Sequence, residues 1–343
     1  MGDFSRRNFI KTASVASAAM LAGGLGLYSP RSRAADFRLK FANNLPLTHP
    51  MNVRAREMAK AIKDETDGAV QIQVFPSSQL GSDTDTLAQL RAGAVDLFSL
   101  SPVILGTMVP SVQISAIGFA FKDYGQVWNA MDGDLGAHVR GEIEKTKTLF
   151  AFDKMWDNGF RVTTTSTRPV ATPEELVGMK LRVPPSPIIM SIFRGFGAAP
   201  ASINFAETYS ALQTRIVEGQ ENPLTLISSA KLYEVQMYCS LTNHVWDGFW
   251  MLGNTASFSK LPADMQAIVR KHVNAAVIAQ REDLAKLQGS IQDTLKQQKM
   301  EIVETDPVPF REKLRSANYY AEWHDKFGDN AWAILEKYSG QLA

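Results

Sequence analysis

The sequence predicts an α/β fold of two similar-sized units with a cleft between them, and three observations predict it. A β-α-β-α-β alternation fills residues 36–101, and a second run of short strands and helices begins near "DNGFRVTTTSTRPV" at Asp157. Between Lys260 and Gln298 helix formers dominate and breakers are few, so this stretch reads as long helices lying across both units.

In the first unit "DFRLKFAN" alternates as a strand. "PMNVRAREMAKAIKDETDG" then carries Met51, Ala55, Met58, Ala59 and Ile62 at helical spacing before Gly68. "AVQIQVFP" is a second strand with Val70, Ile72 and Val74 on one face. The turn "SSQLGSD" leads into a helix that breaks at Gly93 and continues into a third, apolar strand. Parallel sheets of this kind bind ligands beyond the carboxyl ends of their strands. In the second unit a strand is expected at Arg161 to Thr165 and a helix start at Thr172-Pro173-Glu174-Glu175. A strand at Met179 to Val183 and a helix over Ile188 to Phe196 follow. "INFAETYSALQTRIVEGQENP" reads as a helix ended by Gly219, and "AKLYEVQMYCSLTNHVW" as a helix passing into a strand.

The first 34 residues read as an address. "SRRNFIK", a weakly apolar stretch of small residues and "SPRSRAADF" have the order of a twin-arginine export signal, with cleavage expected after Ala34 and a membrane anchor as the alternative. The expected location is the periplasm. The chain of 343 residues has 36 basic and 35 acidic residues. Residues 1–34 hold five of the basic and one of the acidic ones, so the remainder carries −3. That balance argues against nucleic acid and against a polybasic membrane contact. Five histidines without i, i+4 pairing, one cysteine (Cys239), and no G-x-G-x-x-G, G-x-S-x-G or H-E-x-x-H pattern leave no signal for a metal, a cofactor or an enzyme.

Four polar residues lie at predicted strand ends or loops, where rigid sheets place binding groups: Asn44, Arg161, Arg182 and Asn222. Two arginines on neighbouring strands could aim two forks at one anion, since a guanidinium matches a carboxylate bidentately. Taken singly, each arginine reads first as a surface ion pair, Asn222 as a turn before Pro223, and Trp156, Phe160, Phe205, Tyr209, Trp246, Phe249 and Trp250 as core.

Together, "FPSSQLGSDTDTLAQLRAGAVDL" (residues 75–97), "NGFRVTTTSTRPV" (158–170), "GMKLRVP" (178–184), "INFAETYSALQTRIVEGQENPL" (203–224) and "KLYEVQMYCSLTNH" (231–244) resemble the DctP-type solute-binding proteins of tripartite ATP-independent periplasmic (TRAP) transporters. The resemblance covers essentially the whole chain after residue 34. It implies a two-lobed periplasmic-binding-protein fold with crossing strands and a long hinge-spanning helix. The lobes are expected at 35–158 plus 248–287 and at 159–247 plus 288–343. It implies no catalysis and no cofactor. Instead a small organic acid is held by Arg182, with Arg161, Asn222 and Phe205 facing the cleft and Asn44 joining from the other lobe, and is passed to small and large membrane subunits. Trp156 or Phe160, where sialic-acid binders of the family carry a small or polar residue, points to a compact ligand: a short sugar acid, a C4 to C6 dicarboxylate or an aromatic carboxylate. A ligand carrier for a sensor and an enzyme acting on organic acids are the alternatives, with the chain itself a monomer or weak dimer.

Overall fold

The alternating apolar residues of "FRLKFA" and "VQIQVF" form a parallel pair, β1 (Phe37–Ala42) and β2 (Val70–Phe75), in register from Phe37↔Val70 to Ala42↔Phe75. The computed structural model describes residues 36–342, so the expected export signal lies outside the described residues. The helix Pro50–Glu65 crosses between β1 and β2 and buries Met51, Ala55, Met58 and Ile62, as its periodicity requires. The helix Asp83–Ala92 leads to β3 (Leu97–Leu100), which is buried throughout and pairs parallel with β1.

Two strands of 17 residues each, β4 (Leu149–Thr165) and β8 (Tyr238–Asn254), then run antiparallel through the middle of the molecule. With β5 (Lys180–Val183), β6 (Ala199–Ser202), β7 (Gly219–Pro223) and β9 (Glu301–Val303) they complete one nine-stranded sheet of order β2-β1-β3-β8-β4-β7-β5-β6, with β9 beside β8. One half of the sheet is thus built on parallel β1, β2 and β3, the other on parallel β5, β6 and β7, and β4 with β8 joins them. At the joint the β4–β8 register slips, between Asp157 and Gly159 and again between Arg161 and Thr163, as a β-bulge does where a strand must bend.

The expected strand at Arg161 to Thr165 is therefore only the end of β4. Pairing of Met155, Trp156, Asp157 and Gly159 with β8 holds the preceding run "DKMWDNG" extended. The helix after Asn204 ends at Gln213 rather than at Gly219. Gly219 instead opens β7, where a Cβ would lie 2.4 Å from the Thr164 carbonyl oxygen, so its role is close approach of two strands. Asn222 belongs to β7, opposite Val162, and not to a turn.

The long helix Ala263–Gln297, 35 residues, spans about 50 Å and packs on both halves. Val269, Val273, Ala276 and Val277 close the core over Met51, Ala55 and Met58, and Leu295 joins a separate core with Val162, Leu212 and Ile227. At the joint Gln280 clamps the backbone of Asp157, accepting from its N–H at 3.0 Å and donating to its carbonyl at 2.7 Å. The Arg281 guanidinium pairs with Asp132 at 2.9 Å and lies 3.7 Å from the Trp128 ring centroid.

Gly248 faces Asp157 across the joint, and a Cβ there would meet the Trp246 ring at 2.5 Å and the Trp156 carbonyl oxygen at 2.9 Å. Gly248→Val is expected to cost about 1–3 kcal/mol of stability through overpacking, read as a lowered urea midpoint with an unchanged slope.

Candidate functional site

The strand ends meet at the joint, and the residues there come from both halves. Asn44 follows β1 and donates from Nδ2 to the Asp83 carboxylate at 2.9 Å, while its own Oδ1 has no partner among the described residues. Its neighbour Asn43 is turned away, pairing with Asn52 at 2.8 Å and accepting from the Leu45 N–H. Asp83 opens the helix Asp83–Ala92 behind its cap, Ser82, and its Oδ1 is likewise buried without a partner. Burial pushes the Asp83 carboxyl up to about 6 against the opposing pull of Asn44 and Arg182.

From the other half comes Arg161, and its charge is already taken. Its Nε and Nη2 fork onto the two Glu221 carboxylate oxygens at 2.5 and 2.7 Å, and Nη1 reaches Asp247 at 2.5 Å. Burial pulls its pKa down, but the two carboxylates outweigh this and raise it. Glu221 also meets His244 Nε2 at 3.1 Å. Burial would lift the Glu221 carboxyl, yet Arg161 and His244 hold it at about 2. Asp247 accepts from Ser101 at 2.5 Å and from Asn158 at 3.2 Å.

Arg182 is different. It is 1% exposed, it forms no ion pair among the described residues, and its one hydrogen bond runs from Nε to the Ile203 carbonyl at 2.8 Å. Burial pushes its pKa down to about 10, which Glu221 only partly offsets. The Phe205 ring, at the start of the helix Phe205–Gln213, lies 5.9 Å from its guanidinium carbon. The two arginines are not on neighbouring strands as expected: the order is β4-β7-β5, and β7 between them supplies Glu221. Only one fork is left for an anion.

Asn44, Arg161, Arg182, Phe205 and Asn222 line a single cavity with Ser101, Asn158, Asp247 and Phe249. Its volume is only about 20 Å³, so the cleft is nearly shut. Asn222 turns both ends of its amide inward on the protein, accepting from Arg161 at 3.3 Å and donating to Gln220 at 2.5 Å. Trp156 does not line the cavity. It is wholly buried in the core under the long helix, and Phe249, its partner on β8, takes the cavity wall instead. Phe160 lines a different cavity, so the size argument drawn from these two aromatics falls. A larger open groove of about 670 Å³ between the helices Pro187–Gly195 and Tyr319–Phe327 has only exposed charges, Arg194, Glu322 and Lys326. The closed cavity, by contrast, holds a buried arginine that forms no ion pair among the described residues.

Residues 41–324 match the model of the bacterial extracellular solute-binding proteins, family 7, DctP. The chain belongs to that family. It is 36% identical over 266 residues to the uncharacterized protein y4mM of Sinorhizobium fredii, covering 78% of this chain and 48% of that relative, about half its length. To the 2,3-diketo-L-gulonate-binding periplasmic protein YiaO of Escherichia coli K12 it is 30% identical over 295 residues, 86% of this chain and 88% of YiaO. A TRAP periplasmic solute-binding protein from Polaromonas sp. JS666, solved bound to D-erythronate, superposes with TM-score 0.83 at 28% identity over 90% of this chain and 99% of that one. The chain is thus a DctP-type solute-binding protein of the TRAP class, with the two-lobed fold of that class. No helix among the described residues is long and apolar enough to cross a membrane.

Sequence reasoning missed Asp83, Glu221, Asp247 and His244. Asp83 was read only as the end of the turn "SSQLGSD", and Glu221 stood unremarked inside "QENP".

Arg161→Ala strands Glu221 and Asp247 as buried charges and is expected to cost about 3–5 kcal/mol in urea unfolding. Burial also lifts the Asp157 carboxyl from 3.8 to about 7, against a hydrogen bond from the Trp246 indole. The unfolded chain therefore releases this proton between pH 3.8 and 7 while the folded one keeps it, so this group costs the protein stability as pH rises through that window. Relative to the wild type, Asp157→Asn should gain stability from pH 4 to pH 7 and hold a constant difference above pH 8, read from urea midpoints.

Proposed function

We propose that this chain captures a small polyhydroxylated monocarboxylate between its lobes and delivers it to the small and large membrane subunits of a TRAP transporter. One observation carries the reading: Arg182 is a buried guanidinium with no carboxylate partner, in a cavity lined from both halves of the sheet. Leaving such a group unpaired is costly, and a ligand carboxylate forked onto it removes the cost.

The lobes, 35–158 with 248–287 and 159–247 with 288–343, close about the bulge where β4 and β8 cross. In the open form Arg182 is hydrated and attracts the acid. Closure expels water, which strengthens the ion pair and brings Asn44, backed by Asp83, against the far end of the ligand. The acid favours the closed form because only there does it touch both lobes. Phe205 packs on one side of the carboxylate and Phe249 forms the opposite wall. Arg161 and Asn222 take a supporting role, holding the cleft floor in shape rather than donating charge.

Asn44 and the Asp83 carboxylate behind it set the ligand class. The unpartnered Asn44 Oδ1 is an acceptor on the cavity wall, so it calls for a hydroxyl donor. A second carboxylate at that end would feel the negative charge of Asp83, hydrogen-bonded to Asn44, and would not be met by Arg161, which is committed to Glu221 and Asp247. This favours hydroxy acids over dicarboxylates, in keeping with the D-erythronate held by the Polaromonas relative. Residues 1–34 are read as a twin-arginine export signal cleaved after Ala34.

A thermal-shift panel of D-erythronate, longer aldonates, succinate and benzoate is expected to single out a hydroxy monocarboxylate. Calorimetric titration of that acid should then show Arg182→Ala losing about 2–5 kcal/mol of binding, roughly 30-fold or more, with Arg182→Lys also impaired and Asp83→Asn shifting preference toward succinate. Near-normal affinity in Arg182→Ala would sink the reading, and a wild-type preference for succinate would sink the ligand class.

A further inference from the structure

A second cavity, of about 250 Å³, lies between the strand crossing and the long helix. Its apolar walls are Phe160 and Pro223 on the strand side and Leu284 and Ile291 on the helix side. Its polar groups are the amides of Asn158, Asn243, Gln288 and Gln292 and two hydroxyls, Tyr124 and Thr225, and no charged side chain lines it. Asn158 lines both this cavity and the acid cleft. It is 1% exposed and donates from Nδ2 to Asp247 at 3.2 Å, yet its Oδ1 has no partner among the described residues. A buried acceptor left open in this way calls for a donor.

We infer that this cavity is a second ligand site, which takes an uncharged small molecule with an apolar ring and a hydrogen-bond donor. A charged guest would be desolvated there without a counter-ion, whereas a neutral one can lay its ring on Phe160 and Leu284 and offer its donor to Asn158. The volume suits a fragment of roughly ten non-hydrogen atoms, smaller than a drug-sized ligand. Such a guest touches β4 beside its bulge and the helix that spans both halves. It therefore binds one arrangement of the lobes better than another and shifts their equilibrium. With the cleft nearly shut in this arrangement, the guest raises acid affinity, and the acid raises the guest's affinity by the same factor.

The site itself stands apart from the acid reading, and only the coupling rests on it. Benzamide is the probe, with its charged counterpart benzoate as control. At about 10 mM, benzamide is expected to raise the melting temperature by about 1–2 °C both in the wild type and in Arg182→Ala, which lacks the acid site. Gln288→Trp and Thr225→Trp, at exposed and partly buried rim positions, fill the cavity and should abolish the shift. Benzoate should not shift Arg182→Ala. An equal benzamide shift in a folded filled variant, or no shift and no saturation-transfer NMR signal in the wild type, overturns the site. With the site upheld, calorimetry of D-erythronate or the panel's best acid with and without benzamide tests the coupling: unchanged acid affinity overturns it, and tighter binding supports it.

Discussion

Arg161 sits where burial would expel a lone charge, and two carboxylates on the strands that flank it, Glu221 on β7 and Asp247 on β8, keep it there. The cluster ties three adjacent strands together at the point where the sheet must bend. It also leaves one net negative charge inside the protein, opposite a second buried arginine, Arg182, that forms no ion pair among the described residues. The charges that hold the crossing and the arginine proposed to bind the acid therefore belong to one buried set. Breaking a buried pair strands its partner, which makes such a cluster hard to remodel one residue at a time.

The remaining architecture serves the joint. Gln280 of the long helix holds the Asp157 backbone where the β4–β8 register slips, and Arg281 one residue on anchors the same helix to Asp132 and Trp128. Before and after this pair the helix enters two different cores. The helix is thus clamped at the bend and packed on both sides of it, with the uncharged cavity beside it.

Much of the local structure was legible because it follows from short-range pattern. The apolar spacing of Met51, Ala55, Met58 and Ile62 and the alternation in β1 and β2 each name their element without help from the rest of the chain, whereas the expected helix start at Thr172–Glu175 becomes only the 3-10 turn Pro173–Leu176. The other misreadings share one cause. β4 carries "DKMWDNG" and is extended only because β8 pairs with it, Gly219 serves strand approach rather than a helix stop, and Asn222 lies in a strand although Asn-Pro suggests a turn. In each, a long-range partner overrode the local signal.

By itself the sequence determined the α/β class through its periodicity and the family through its motifs, since both are properties of neighbouring residues, and the resemblance to that family implied that Asn44, Arg161, Arg182, Phe205 and Asn222 face one cleft. Only the tertiary structure decided which partners each of them has. Whether a buried arginine is spent or free depends on which carboxylates the fold brings within 3 Å, and these come from residues 60 and 86 positions away in the chain. The same fold put Trp156 in the core and Phe249, paired with it on β8, on the cavity wall, which register across two strands decides and neighbouring residues do not.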